Sequence, residues 1–215
     1  MIIVQHRVNT IKQLQECKED LGVEIDIRNH GNGLFLVHDP FETHGAVELS
    51  NWLSSYNHKF LIANVKEEGL EAKLLPLFDY HGVDDFFILD ETIPYVMKYA
   101  ACGISNFALR VSEFESIETA LLVNENCLRN GTNIDWVWVD SFTGKPLPLN
   151  TLARLKEEGF KLCQVSPELH HIDNPQTWET LVAEFQMVYG GSYIPDMVCT
   201  KRPELWCNSN DMKKC

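Results

Sequence analysis

Short runs of β-branched and aromatic residues alternate along this chain with longer segments in which apolar residues recur every three or four positions. The runs suit strands buried on both faces, and the intervening periodicity suits amphipathic helices. The strand-like runs are Ile2–Gln5, Val23–Ile27, Phe60–Val65, Asp85–Leu89, Phe107–Val111, Trp136–Val139, Lys161–Val165 and Met197–Thr200. Helices are predicted near 9–20, 46–55, 69–80, 92–101, 115–127, 148–158 and 176–188, the first opened by the capping signal Asn9-Thr10. Eight strands joined by helical crossovers are the count of a (β/α)8 TIM barrel of parallel strands, compressed here below the usual ~250 residues.

One segment breaks the rhythm. Asn32-Gly33 is a tight-turn pair followed by another apolar run, so 29–37 is expected to form a small β-hairpin after strand 2 that returns His38 and Asp39 to the barrel mouth. No linker, low-complexity tract or sequence repeat interrupts the chain, and 215 residues read as a single domain spanning 1–215.

Composition narrows the function classes. A formal net charge of −13 without a basic patch argues against nucleic acid and anionic membrane surfaces. No run resembles a membrane span or a signal peptide. Seven cysteines form no CxxC pair and no ligand-like cluster, which fits a reducing cytoplasm, and Cys163 and Cys199 are expected to pack within strands. The terminal Cys215 has no lipidation context.

The candidate chemistry lies at strand ends. In a βα barrel, polar residues at the C-terminal ends of strands line the active site. Such residues here are His6-Arg7, Glu24/Asp26/Arg28, Asn64/Lys66, Asp90-Glu91, Arg110/Ser112, Asp140-Ser141, Ser166/Glu168 and Lys201-Arg202. Strand alternation puts Glu24, Asp26 and Arg28 on one face, and two acids so close bind a hard cation readily. Burying them in a parallel strand without a cation is costly. His6 and His38 add a proton donor and acceptor, and Arg7 a planar cation for phosphoryl oxygens. For Arg28, Lys66 and Lys201 a salt bridge to the same acids is an equally good reading. His30, His44, His58, His81 and the His170-His171 pair read as ordinary structural histidines. Trp136 and Trp138 are expected to share one strand face and to serve packing.

Across its length the sequence resembles the glycerophosphodiester phosphodiesterases and the related phosphatidylinositol-specific phospholipase C-like barrels. The resemblance rests on His6-Arg7 with Asn9-Thr10, GVEIDIR at 22–28, GLFLVHD at 33–39, NVK at 64–66 and VCTKRPEL at 198–205. Members typically show HRG…ENT, an E-x-D pair, a strand into HD, an E-x-K strand and a closing T-D-x-P, in this order and spacing. The resemblance implies that Glu24 and Asp26 are ligands of a divalent cation, Mg²⁺ or Ca²⁺, with Asn64 in the third ligand position. It implies His6 and His38 as the acid/base pair, and Arg7 and Lys66, with Lys201, as phosphate contacts. Asp39 and Asp140 are possible additional site residues, and Asp90 or Asp140 is a candidate to restore an anionic ligand. The chain departs from the pattern where Val8 alone stands for the Gly-rich loop, where Asn64 replaces a carboxylate, where Lys201 replaces an acid, and where the insertion after HD is absent.

The expected activity is metal-assisted hydrolysis of a small or lipid-derived phosphodiester, or its cleavage to a cyclic phosphate. The rival expectation is a catalytically weakened barrel that binds a phosphorylated ligand or a protein partner. Asn64, Lys201 and the shortened loop favour the rival; His6, Glu24, Asp26 and His38 favour the enzyme.

Overall fold

Each of the eight apolar runs becomes a strand in a computed structural model that describes residues 1–42, 44–170, 177–190 and 193–207. In chain order the elements are β1 (Ile2–Gln5), α1 (Ile11–Glu16), β2 (Gly22–His30), β3 (Gly33–Leu36), β4 (Val47–Glu48), α2 (Leu49–Leu53), β5 (Leu61–Val65), α3 (Glu71–His81), β6 (Phe86–Leu89) and α4 (Ile93–Ala100). They continue with β7 (Ala108–Val111), α5 (Ile117–Arg129), β8 (Trp136–Val139), α6 (Leu149–Glu157), β9 (Lys161–Val165), α7 (Trp178–Tyr189), β10 (Met197–Thr200) and α8 (Pro203–Trp206). The seven expected helices are all present among the described residues; Gln176 and His171 lie outside them, as does Cys215.

The sheet is mostly parallel. On one side of β1 come β2, β5 and β6, and on the other β10, β9, β8 and β7. One isolated parallel bridge, Ile88 to Phe107, links β6 to the residue before β7. The antiparallel part is the hairpin, in which β3 pairs with β2 and β4 with β3. Its loop is Gly31-Asn32, one residue earlier than the Asn32-Gly33 pair suggests, because His30 pairs with Gly33. Gly31 takes φ 58°, which suits the first loop position of a type II′ turn and is open to glycine at little cost.

Two apolar layers follow from strand alternation. Val23, Ile25 and Ile27 of β2 face outward onto helix residues such as Leu14, Trp52 and Phe78. Val4, Ile62, Phe87, Cys163, Val165 and Cys199 form a separate inner layer drawn from the strands and their flanks. Among the described residues no α-helix contributes to that inner layer, whose side chains pack on one another and on Leu169. Gly22 lies on this face because a Cβ there would come within 2.8 Å of Val4 Cγ2 and 3.0 Å of the Phe60 carbonyl oxygen.

At the N-terminal ends of the strands Phe60, Phe87 and Trp136 pack with ring centroids 5.5 to 5.6 Å apart. This aromatic plug leaves the opposite end for polar groups. Trp136 and Trp138 share the inner face as expected. Cys163 and Cys199 are buried free thiols inside the sheet. Cys207 is disulfide-bonded, so the cysteine set no longer argues for a reducing compartment. Among the described residues no helix is long and apolar enough to cross a membrane.

Candidate active site

The C-terminal ends of the strands open into a pocket of about 260 Å³. Its walls include His6, Arg7, Asp26, His38, Asn64 and Lys66 from the first half of the chain, and Asp90, Arg110, Asp140, His170 and Lys201 from the second. A protein of net charge −13 thus gathers four of its cationic side chains, Arg7, Lys66, Arg110 and Lys201, around one cavity. All four stand at strand ends, the position that the sequence marks as lining the site.

Backbone geometry at the end of β1 couples the first residues of the site to the acids. Arg7 adopts φ 59°, a left-handed conformation that costs a non-glycine residue ~1 kcal/mol or more. The bend directs the Arg7 backbone N–H to Glu24 Oε2 at 2.7 Å, while its guanidinium Nε lies 3.4 Å from Asp26 Oδ2. Asp90, at the end of β6, is a second non-glycine residue at positive φ, 65°.

Glu24 and Asp26 point inward from β2, both fully buried. Glu24 accepts from the Asn64 amide at 3.0 Å and lies 3.7 Å from His6 Nε2. Burial, and then the charge of Asp26, push its carboxyl up to about 7. Asp26 accepts from Asn9 Nδ2 at 2.8 Å, and its backbone N–H donates to Asn9 Oδ1 at 2.9 Å. Lys66 Nζ stands 3.2 Å from Asp26 Oδ1, so the salt bridge read as an alternative for Lys66 exists. Arg28 serves the frame instead: it donates to the carbonyls of His38 and Lys66 at 3.0 and 3.2 Å and pairs with Glu67 at 3.6 Å.

His6 is half-buried, with its Nδ1 buried and without a hydrogen-bond partner. Burial, followed by the charges of Arg7 and Lys201, lowers its imidazole to about 3. The imidazole is therefore neutral at ordinary pH, and the same surroundings make it a weak base. His38 sits on the rim, 39% exposed at the side chain, with Nδ1 2.7 Å from Asp39 Oδ1. Asp39 is 62% exposed and stands outside the pocket lining, where it orients His38.

A divalent cation would find hard oxygen donors here. Asp26 and Asn64 are register partners on β2 and β5; Asn64 Oδ1 is buried without a hydrogen-bond partner, and Asp26 Oδ1 is met by Lys66. With Glu24 beside them, two carboxylates and an amide oxygen fit a weakly held Mg²⁺ or Ca²⁺. Such an ion has to compete with the Lys66 ammonium for Asp26. Among the described residues no group of three or more His, Cys, Asp and Glu side chains is arranged to hold a metal ion.

The other half of the pocket is organised by Arg110, which binds both Asp90 and Asp140 and lies 3.7 Å from Glu115. A cation that recruited Asp90 or Asp140 would have to compete with Arg110 for them. Asp140 also accepts from Trp138 Nε1 at 3.3 Å and from the Ser141 N–H at 2.9 Å, and it lies 2.6 Å from His170 Nε2. The sequence reading missed His170. Its signal was its place five residues beyond the Lys161–Val165 run, delivered to the pocket by a short 3₁₀ turn at Pro167–Leu169. The other structural histidines behave as expected: His30 packs edge-on to Phe35, His58 contacts the Cys17 carbonyl, His81 meets Ser50 and His44 is exposed.

Lys201 is placed by Glu168, a fully buried carboxylate that accepts its backbone N–H at 3.0 Å and also binds Thr200 and Ser166. The Lys201 ammonium has no ion-pair partner among the described residues and lines the pocket. Where the family pattern has an acid, this chain presents a free cation.

No family model and no curated protein matches the sequence. A solved structure does match: a glycerophosphoryl diester phosphodiesterase from Parabacteroides distasonis, at TM-score 0.63 and 14% identity, covering 95% of this chain and 84% of that one. The two chains share one fold. The resemblance seen in short motifs is thus matched by the arrangement of nearly the whole chain.

Proposed function

We propose that this chain closes as a (β/α)8 barrel and cleaves phosphodiesters at the mouth formed by its strand ends. The observation that carries this reading is the convergence of His6, Arg7, Asp26, His38, Lys66 and Lys201 on one pocket, in a fold shared with a glycerophosphoryl diester phosphodiesterase. A phosphodiester monoanion would be drawn by the unpaired Lys201 and held through its non-bridging oxygens by Arg7 and Lys66. Neutral His6 takes the proton of the nucleophile, either water or a hydroxyl of the substrate, the latter giving a cyclic phosphate. A second imidazole of the pocket protonates the leaving alcohol; the family resemblance assigns this to His38. When bound, a divalent cation at Glu24, Asp26 and Asn64 supplies polarisation of a phosphoryl oxygen.

Turnover of bis(p-nitrophenyl) phosphate tests the reading. Nitrophenolate release by the wild type, lost in Lys201→Ala with Arg7→Ala, supports it; binding of a phosphate ester without turnover supports the alternative of a weakened barrel. That alternative draws on Lys66 and Arg7, which already neutralise Asp26 and in doing so weaken its hold on a cation.

A further inference from the structure

We propose that the proton delivered to the leaving alcohol comes from His170, oriented by Asp140, rather than from His38. The inference rests on the phosphodiesterase reading and refines which group completes it. His170 lines the same pocket as His6 and Lys66. Its Nε2 lies 2.6 Å from Asp140 Oδ1, and Asp140 is 1% exposed. That carboxylate is itself fixed by Arg110, by the Trp138 indole and by the Ser141 N–H, so it has little freedom to release the imidazole. The Phe142 ring lies against the other side of His170, centroids 4.6 Å apart. Phe114 in turn packs on Phe142 at 5.6 Å, and its 78% exposure makes an apolar ledge beside the pocket.

An imidazole with one nitrogen on a buried carboxylate keeps a defined orientation, and the carboxylate stabilises its protonated form without taking the proton itself. Nδ1 of His170 has no partner among the described residues, which leaves it as the donating nitrogen. His38 has the same kind of partner in Asp39, but that pair is on the rim, where water competes for both groups. In the step proposed here the nucleophile's oxygen bonds to phosphorus as its proton goes to His6, the bond between phosphorus and the leaving oxygen breaks, the proton on His170 Nδ1 passes to that oxygen, and His6 then releases its proton to solvent. His170 ends neutral and recovers its proton from solvent.

The dependence of rate on the leaving group separates this role from a structural one. An alkoxide leaves poorly and needs the proton, whereas p-nitrophenolate leaves without it. We expect His170→Ala to lower kcat/KM for an alkyl diester by ~10²-fold or more while changing that for the matching p-nitrophenyl diester by less than about threefold. His38→Ala should affect both substrates alike. Should His170→Ala fail to fold, as judged by circular dichroism, Asp140→Asn is read in its place and should show the same selectivity. Equal losses on both substrates, no loss on either, or selectivity found in His38→Ala instead would overturn the proposal. A wild type inert towards both diesters would overturn the phosphodiesterase reading along with it.

Discussion

Asp26 and Asn64 face each other across the pairing of β2 with β5, where Asn64 Oδ1 is buried without a hydrogen-bond partner and Asp26 Oδ1 lies 3.2 Å from the Lys66 ammonium. An amide oxygen ligates Mg²⁺ or Ca²⁺ but brings no charge, so a cation held here is held weakly. Asn64→Glu should tighten divalent binding, by on the order of tenfold for one added charge beside the ion. Glu24→Ala and Asp26→Ala should weaken it. Calorimetric titration with each ion checks the sign; no binding in the wild type and none gained in Asn64→Glu would show that these acids are not a metal site.

His6 presents a neutral imidazole to the pocket, its Nε2 3.7 Å from Glu24 Oε2. His6→Ala should lower diester cleavage by ~10²-fold or more, the scale for losing a general base. Thermal unfolding should move little, since one ring nitrogen of His6 makes no hydrogen bond to lose. A fully active His6→Ala protein would remove the residue from the mechanism.

Arg110 and Arg154 offer a contrast between buried and exposed ion pairs. Arg110→Met strands the buried Asp140 without its cation and should cost roughly 3 kcal/mol in urea unfolding. Arg154 pairs with Glu118 on the surface, both about half exposed, and Arg154→Ala should cost under about 1 kcal/mol. Equal costs would mean that Asp140 is better solvated than its burial indicates.

Much of this was legible in the sequence because parallel strands announce themselves as short apolar runs and their chemistry gathers at one end. Glu24 and Asp26 stood out since acids interrupt a strand that otherwise has to be apolar on both faces. The turn at Gly31-Asn32 was misplaced by one residue because glycines stand on both sides of Asn32 and only the register decides which of them enters the loop. His170 was missed for a different reason. Its partner Asp140 is thirty residues away, and a place five residues beyond a strand does not by itself separate a pocket histidine from a structural one. Arg110 was read as a strand-end residue of the site, but its pairing with Asp90, Glu115 and Asp140 depends on how the strands are arranged.

Glu91 gives the fold a pH dependence. Burial, with the adjoining Glu71 carboxyl adding to it, pushes Glu91 up from an ordinary 4.5 to about 8. The folded state thus holds a proton that the unfolded chain releases. This contribution to stability is full below about pH 4.5 and is lost as pH rises through 8. The melting temperature of the wild type should decline across that window, and Glu91→Gln should flatten the decline. Parallel curves for the two proteins would show that another group is responsible.

The central claim is that the pocket breaks phosphodiester bonds, and ³¹P NMR of a glycerophosphodiester incubated with the protein reads this directly. The diester resonance should be replaced by that of a phosphomonoester or a cyclic phosphate, about a hundredfold more slowly with His6→Ala than with the wild type. A diester resonance that persists unchanged with the wild type, with and without added Mg²⁺ and Ca²⁺, would contradict it.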